Sequence, residues 1–325
     1  MLPDFSDVAA AKQRLAGHAI HTPLLENATL NERFGGRVLI KPEVLQHTGS
    51  FKFRGAYNRI SQIQEENPGS AIVAFSSGNH AQGVAAAARA HGVKSTIVMP
   101  SDSPKSKLAR TKSHGAEVVT YDRKTGNREE VAREIAETEG AIIVPPYDDR
   151  GVIAGQGTTG LEILEDCRTR NIEPGAILVP CSGGGLTAGI VLAVRELSPG
   201  TSVYCVEPEN FDDYTRSLAS GSIERNANQS GSVCDALLTP GPGKLTFAIN
   251  GPGLAGGVVV TDNMALEAVG FALRELKLVV EPGGAVALAA LLSGKFQSDG
   301  TPTVIVLSGG NIDPEIMSRA LDLTE

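Results

Sequence analysis

The feature that most constrains this chain is a run of strand–loop–helix units, each with a polar or glycine-rich loop where strand hands over to helix. Residues 71–75 read as a strand, Ser76-Ser77-Gly78-Asn79-His80 as a loop and 81–91 as an alanine-rich helix. The order repeats with strand 95–99 and a helix from Ser103-Pro104 to about 114, then strand 117–120 and charged helix 127–139. Strand 141–144 ends at Pro145-Pro146, after which the pattern restarts with a helix to about 168, strand 176–180, a glycine loop, helix 186–197 and strand 202–206. Strands alternating with helices argue for parallel sheet and an α/β fold. Ahead of this run lie an amphipathic helix over 6–16, the extended His21-Thr22-Pro23-Leu24-Leu25, a strand over 38–41 and helical periodicity from about 54 to 66. Behind it lie a strand over 258–260, a helix over 262–277, a helix opened by Glu281-Pro282-Gly283-Gly284 and a strand over 304–307. Residues 220–256 are irregular and too long for an idle connection, so they are expected to shape or cover a site.

A chain of 325 residues exceeds one typical domain, so two domains, or one with an insertion, are expected. The net charge of −8, without a lysine/arginine run, argues against a nucleic-acid partner. No apolar run reaches membrane-spanning length, and Met1-Leu2-Pro3-Asp4-Phe5 lacks a basic region followed by an apolar one. The expected location is the cytoplasm, with no membrane partner. Cys167, Cys181, Cys205 and Cys234 form no CxxC pair and are expected as reduced thiols without a metal on sulfur.

Chemistry concentrates in four stretches. In Thr48-Gly49-Ser50-Phe51-Lys52-Phe53-Arg54-Gly55 a lysine stands between two phenylalanines. Either its stem covers apolar surface while the head reaches water, or desolvation lowers its pKa and frees a neutral amine as nucleophile or base. Ser182-Gly183-Gly184-Gly185-Leu186, between a strand and a helix N-terminus, suits a phosphate, because converging backbone N–H groups meet the positive end of the helix. Gly183-Gly184-Gly185-Leu186-Thr187-Ala188 with Glu207 ending the next strand, 24 positions on (207 − 183), imitates a dinucleotide fingerprint. Three features oppose that reading: the apolar-flanked lysine, the SSGNH loop, and Ser308-Gly309-Gly310-Asn311 at another strand end. A dinucleotide needs neither such an amine nor three polar strand-end loops.

A pyridoxal phosphate site needs these parts: a Schiff-base lysine, a phosphate cradle, a partner for the pyridine nitrogen and donors for a carboxylate. In SFKFRGA around Lys52, SSGNHAQG from Ser76, VIAGQGT from Val152, the glycine loop and LSGGN from Leu307, the chain resembles the serine/threonine dehydratase and serine racemase family. The resemblance spans nearly the whole chain. It implies a two-domain fold of the tryptophan-synthase-β-like type (fold type II). Residues 1–70 and 149–325 would form a large cofactor-binding domain, with 71–148 as a smaller inserted domain. Because the sequence ends soon after SGGN, the C-terminal regulatory domain of longer threonine dehydratases is not expected here.

By the same resemblance Lys52 is the Schiff-base former and α-proton base, Phe51 lies near the cofactor ring, and Asn79 bonds the ring hydroxyl. Gly183, Gly184, Gly185 and Leu186 hold the phosphate, and Ser308 meets the pyridine nitrogen. Ser76, Ser77, Gly78, Asn79 and His80 grip the substrate carboxylate. A serine at Ser77 acts from the face opposite the lysine in racemases of the family, while many threonine dehydratases carry alanine there. Arg128 matches a position near the family's active site, or else is a solvated charge at a helix start. Glu207, the Phe211 carbonyl and Asp213 match a Mg²⁺ or Ca²⁺ site, or else are an acidic strand end beside a helix N-terminus. Cys234-Asp235-Ala236-Leu237 departs from the Asp-Gly turn of many relatives, which leaves the substrate open.

The resemblance implies an ammonia-lyase converting L-threonine or L-serine to a 2-oxo acid and ammonia, as a homodimer. An amino-acid racemase using Lys52 and Ser77, or a lyase for 3-hydroxyaspartate or another bulky 3-hydroxy amino acid, stays open. A nicotinamide-binding dehydrogenase or a silent nucleotide-binding module is the contrasting class.

Overall fold

The computed structural model describes residues 2–76, 78–103, 105–122, 125–228 and 230–323. The strands are β1 (Leu25–Glu26), β2 (Val38–Pro42), β3 (Ile72–Phe75), β4 (Ser95–Pro100), β5 (Glu117–Tyr121), β6 (Ile142–Ile143), β7 (Ala176–Pro180), β8 (Ser202–Pro208), β9 (Gly256–Val260) and β10 (Thr303–Leu307). Among the described residues they form a six-stranded sheet, ordered β1-β2-β10-β7-β8-β9, and a four-stranded sheet, ordered β5-β4-β3-β6. All pairs are parallel except β1 with β2. That exception is local: a single short helix, Ala28–Phe34, turns the chain back on itself, where a parallel return needs a longer crossover.

Both faces of the large sheet are covered, which is why its strands read as unbroken apolar runs. In β10, Val304 and Val306 pack with Ile153 and Ile190 of two helices on one face, while Ile305 and Leu307 pack with Val269 and Leu288 on the other. The small sheet alternates in the same way, with Ile72 and Ala74 in one cluster and Val73 and Phe75 in another.

Several elements differ from the sequence expectation. The helices Ala28–Phe34, Lys244–Asn250 and Pro314–Asp322 and the strand β1 are additional. The helix expected over 262–277 runs as Asp262–Phe271 and then widens into a π turn, Ala272–Leu276, closed by Lys277 at φ 58°. The helix expected from residue 54 is Lys52–Glu66, so Lys52 stands on its first turn.

Two structural devices place that turn. The first is close helix packing. A Cβ on Gly155 would lie 2.6 Å from the Arg54 carbonyl oxygen, and one on Gly189 would lie 2.4 Å from the Gly157 nitrogen. Helix Arg150–Thr169 is thereby pressed against Lys52–Glu66 on one side and Gly185–Leu197 on the other, and no larger residue fits at either crossing. The second is a buried ionic quartet. Arg54 grips Glu43 through Nε (2.7 Å) and Nη2 (2.8 Å), and Glu162 through Nη1 (2.6 Å) and Nη2 (2.8 Å). Lys41 Nζ donates to Glu162 at 2.6 Å and to the Thr22 carbonyl at 2.7 Å, and the Thr22 hydroxyl donates to Glu43 at 2.7 Å. Two cations face two carboxylates, and Arg54 also donates to the Thr158 hydroxyl and the Ile20 carbonyl, so charges that are costly to bury alone are compensated.

Candidate active site

The glycine loop follows β7 and enters helix Gly185–Leu197, whose N-cap is Gly184 at φ +88°, a conformation side chains rarely adopt. Space also demands glycine. A Cβ on Gly184 would sit 1.9 Å from the Tyr214 hydroxyl, and one on Gly183 would sit 2.3 Å from the Tyr147 ring. Among the described residues no side chain caps the helix, so its first-turn N–H groups stay available, and the buried Thr187 hydroxyl beside them has no hydrogen-bond partner there. Such an end of a helix fits a phosphate.

Lys52 stands across the cleft. Its Nζ donates to the Pro146 carbonyl at 2.7 Å and lies 5.1 Å from the Phe51 ring centroid. The residue is half-buried in the open cleft, and the protein packed around its amine lowers the pKa to about 8. Of the two sequence readings, the geometry matches the desolvated amine rather than a head in bulk water.

The terminal serine loop is stitched to the lysine stretch by backbone. Phe51 N donates to the Ser308 carbonyl at 3.1 Å, Gly310 N to the Gly49 carbonyl at 2.9 Å, and Ser50 bridges Gly309. Ser308 is thereby held in the cleft wall, buried, in a loop whose one acidic residue, Asp313, stands at its far end before helix Pro314–Asp322. Ser76, Gly78, Asn79 and His80 also line the cleft, where helix Asn79–Ala90 starts from Gly78 without a side-chain cap. His80 turns its Nε2 to the Val144 carbonyl at 2.9 Å. Burial, then the nearby Lys52 charge, drives its pKa down to about 3. The imidazole is neutral, so the nitrogen at Val144 carries the hydrogen, and what His80 offers a carboxylate is its backbone N–H.

Phe51, Lys52, Ser76, Gly78, Asn79, His80, Arg128, Gly183, Gly184, Gly185, Leu186 and Ser308 therefore line one cleft. Arg128 sits at the rim, 5.5 Å from the Phe75 ring centroid. Ser77 lies outside the described residues. Glu207, Phe211 and Asp213 stand apart from the cleft, where β8 turns into helix Asp213–Ser220. Both Glu207 oxygens accept hydrogen bonds from that helix start: Tyr214 N at 2.8 Å, Thr215 N at 2.8 Å and Thr215 Oγ1 at 2.7 Å. Asp213 Oδ1 accepts from Asn226 at 2.6 Å, while its buried Oδ2 has no partner among the described residues. Burial and then the Asp213 charge push Glu207 up to about 8, and burial pushes Asp213 to about 6. No group of three or more His, Cys, Asp or Glu side chains suited to a metal occurs among the described residues. Two carboxylates with one orphaned oxygen still fit a hard cation completed by backbone oxygens.

The structure adds cleft residues that sequence reasoning does not single out: Tyr147 against the glycine loop, Lys107 and Glu281. Lys107 pairs with Asp235 at 2.5 Å across the cleft mouth, joining helix Lys105–Ser113 to the turn Asp235–Leu237. The aromatic residue after Pro145-Pro146 is the one local sign of Tyr147; the other two have none.

A phosphate cradle, a desolvated lysine and a neutral hydroxyl in one cleft define a site for pyridoxal phosphate chemistry, and comparison with known proteins agrees. The chain belongs to the pyridoxal-phosphate dependent enzyme family, whose model matches residues 15–309. It is 43% identical to an L-threo-3-hydroxyaspartate ammonia-lyase of Pseudomonas sp, covering 97% of each chain. It is 39% identical to a serine racemase of Schizosaccharomyces pombe, over 97% of this chain and 96% of that one. The structure of a maize serine racemase superimposes with a TM-score of 0.91 at 32% identity, covering 99% of this chain and 98% of that one. Lyases and racemases of this family share the fold, and among the described residues no helix is long and apolar enough to cross a membrane.

Proposed function

We propose that this chain is an ammonia-lyase that converts a β-hydroxy amino acid such as L-threonine or L-serine to a 2-oxo acid and ammonia. The observation that carries the reading is the Lys52 amine, desolvated and held on the Pro146 carbonyl in the cleft that also holds the glycine loop and Ser308. Gly183, Gly184, Gly185, Leu186 and the Thr187 hydroxyl would hold the phosphate. Asn79 would meet the ring hydroxyl and Ser308 the ring nitrogen. The bound cofactor supplies an electron sink for the substrate α-carbon.

The chain's own groups do the rest. The first-turn N–H groups of helix Asn79–Ala90, with Ser76 and Gly78, orient the substrate carboxylate. Lys52 Nζ takes the α-proton, a task suited to an amine whose pKa stands near 8 rather than at the usual lysine value. The neutral Ser308 hydroxyl does not enforce a protonated ring nitrogen, which favours prompt departure of the β-hydroxyl over reprotonation at carbon. Loss of water leaves an enamine that tautomerises and hydrolyses in solution to the 2-oxo acid and ammonia. The Lys107–Asp235 pair ties helix Lys105–Ser113 to the turn Asp235–Leu237 at the cleft mouth. We read 71–148 as an inserted unit closing on 1–70 and 149–325. A homodimer, a cytoplasmic location and a bound Mg²⁺ or Ca²⁺ belong to the same reading.

A specific observation favours a second substrate. Arg128 projects its charge into the cleft rim beside Phe75, with no carboxylate recorded against it among the described residues. That cation suits the distal carboxylate of L-threo-3-hydroxyaspartate, the substrate named for a relative above. The test is to incubate the enzyme with L-threonine, L-serine and L-threo-3-hydroxyaspartate, following 2-oxo acid and D-isomer together. Arg128→Ala is expected to lower kcat/KM for 3-hydroxyaspartate by about 10–100-fold while sparing L-threonine. Predominant D-serine, lost in Ser77→Ala, would instead make the chain a racemase.

The cation site has its own readout. Because Glu207 and Asp213 have raised pKa values, the empty pair is most stable when protonated, and that stability is lost as pH rises through about 6 and about 8. A cation competes with those protons, so EDTA is expected to lower the melting temperature little in acid and most above about pH 8, with Mg²⁺ restoring it. An unchanged melting temperature after thorough metal removal at alkaline pH would count against the site.

A further inference from the structure

The cleft contains a carboxyl that neither the cofactor reading nor the substrate reading uses. Glu281 precedes helix Pro282–Leu292 and is only 4% exposed. Its backbone N–H donates to the Gly309 carbonyl at 3.0 Å, and its Oε1 lies where a Cβ on Gly309 would come within 2.2 Å. The residue after Ser308 is thus glycine because Glu281 occupies the space.

Glu281 Oε1 accepts from Asn79 Nδ2 at 2.5 Å. Asn79 Oδ1 in turn accepts from Asn311 Nδ2 at 2.8 Å. Asn311 is itself pinned, donating to the Thr48 carbonyl at 2.8 Å and accepting from Arg110 Nη1 at 2.8 Å. These bonds fix which end of the Asn79 amide is which: oxygen toward Asn311, nitrogen toward Glu281, and among the described residues the second N–H has no recorded acceptor.

We propose that Glu281 is a positioning residue that holds the Asn79 amide with an N–H toward the ring hydroxyl of the bound cofactor, and that its charge state sets the polarity this hydroxyl meets. The proposal rests on the cofactor placement given above. The charged groups facing Glu281 are Asp235 from the turn Asp235–Leu237, Lys107 from helix Lys105–Ser113 and Asp313 ahead of helix Pro314–Asp322. Burial first, then the Asp235 charge, pushes the carboxyl up to about 7. Its folded pKa is above the ordinary one, so Glu281 is neutral below that value and ionised above it. A neutral carboxyl tolerates negative charge on the ring oxygen; an ionised one, a single amide away, opposes it.

The experiment is an absorption titration of the pyridoxal phosphate-loaded enzyme without substrate, from about pH 6 to pH 9. The unmodified chain is expected to change band ratio with a midpoint near 7, the Glu281 value. Glu281→Gln keeps an acceptor for Asn79 but cannot ionise, so it should retain colour and lose that transition. A transition unchanged in Glu281→Gln overturns the proposal. Should that variant fail to fold, Asp235→Asn serves, since it removes a half-exposed neighbour that raises the carboxyl's pKa. Its midpoint is expected to move to lower pH, and an unmoved midpoint is equally fatal. A purely structural role for Glu281 would shift neither. Colourless unmodified protein would overturn the cofactor reading, and this proposal with it; coloured protein lacking the expected shifts overturns this proposal alone.

Discussion

Lys52→Ala is expected to leave the protein folded but colourless with pyridoxal phosphate, and to lower turnover of β-hydroxy amino acids by about 10³-fold or more. The effect is large because, on the proposed reading, one atom would serve twice: the Lys52 nitrogen would hold the cofactor and later remove the α-proton. Folding should survive, because among the described residues the amine bonds only the Pro146 carbonyl, and the helix behind it is held by other residues. Lys52→Arg should fare no better, since a guanidinium stays protonated and cannot act as nucleophile or base. Absorbance and a 2-oxo acid assay on the same preparation check the result. A Lys52→Ala protein that is coloured and fully active would remove the basis for the functional reading.

Arg54→Ala is expected to be the most destabilising change, costing about 3–5 kcal/mol, because it strands buried Glu43 without its cation and Glu162 with Lys41 alone. Urea unfolding measured by circular dichroism checks the value, with the slope held constant as the sign that only stability has changed. Arg54→Lys keeps the charge but loses the fork that reaches both carboxylates, so it should fall between the two. A loss below about 1 kcal/mol for Arg54→Ala would mean the quartet is held by its neighbours rather than by the guanidinium.

What is legible in the chain follows how far apart the cooperating residues lie. Alternating strands and helices are written locally, in apolar runs broken by loops, and both sheets follow from them. Lys52, the glycine loop and the SGGN loop are legible because each part of the site is a contiguous stretch whose residue types the chemistry dictates. Helix Ala28–Phe34 also has a local signature, the Asn27 cap and Gly35 at φ +73°, but its shortness hides it. Helix Lys244–Asn250 has no such signature, for its N-terminal N–H groups are capped by Asp148, which lies 96 positions from Lys244. Glu281 shows the same limit at the site. In the sequence it is a glutamate before a helix-opening proline, where a carboxylate is favourable anyway. Its burial depends on Gly309 and its bond on Asn79, 202 positions away.

The pairing of β2 with β10, which sets Val38 beside Thr303, also governs how the chain is born. The four-stranded sheet is encoded without interruption from β3 to β6 and can assemble as soon as residue 143 leaves the ribosome. The larger sheet cannot close then. β2 must wait through most of synthesis for its principal neighbour, with one row of backbone donors and acceptors open to other chains. A nascent chain stalled just short of residue 303 would therefore carry a finished small sheet and a gap between β2 and β7, the one strand position that no other segment fills.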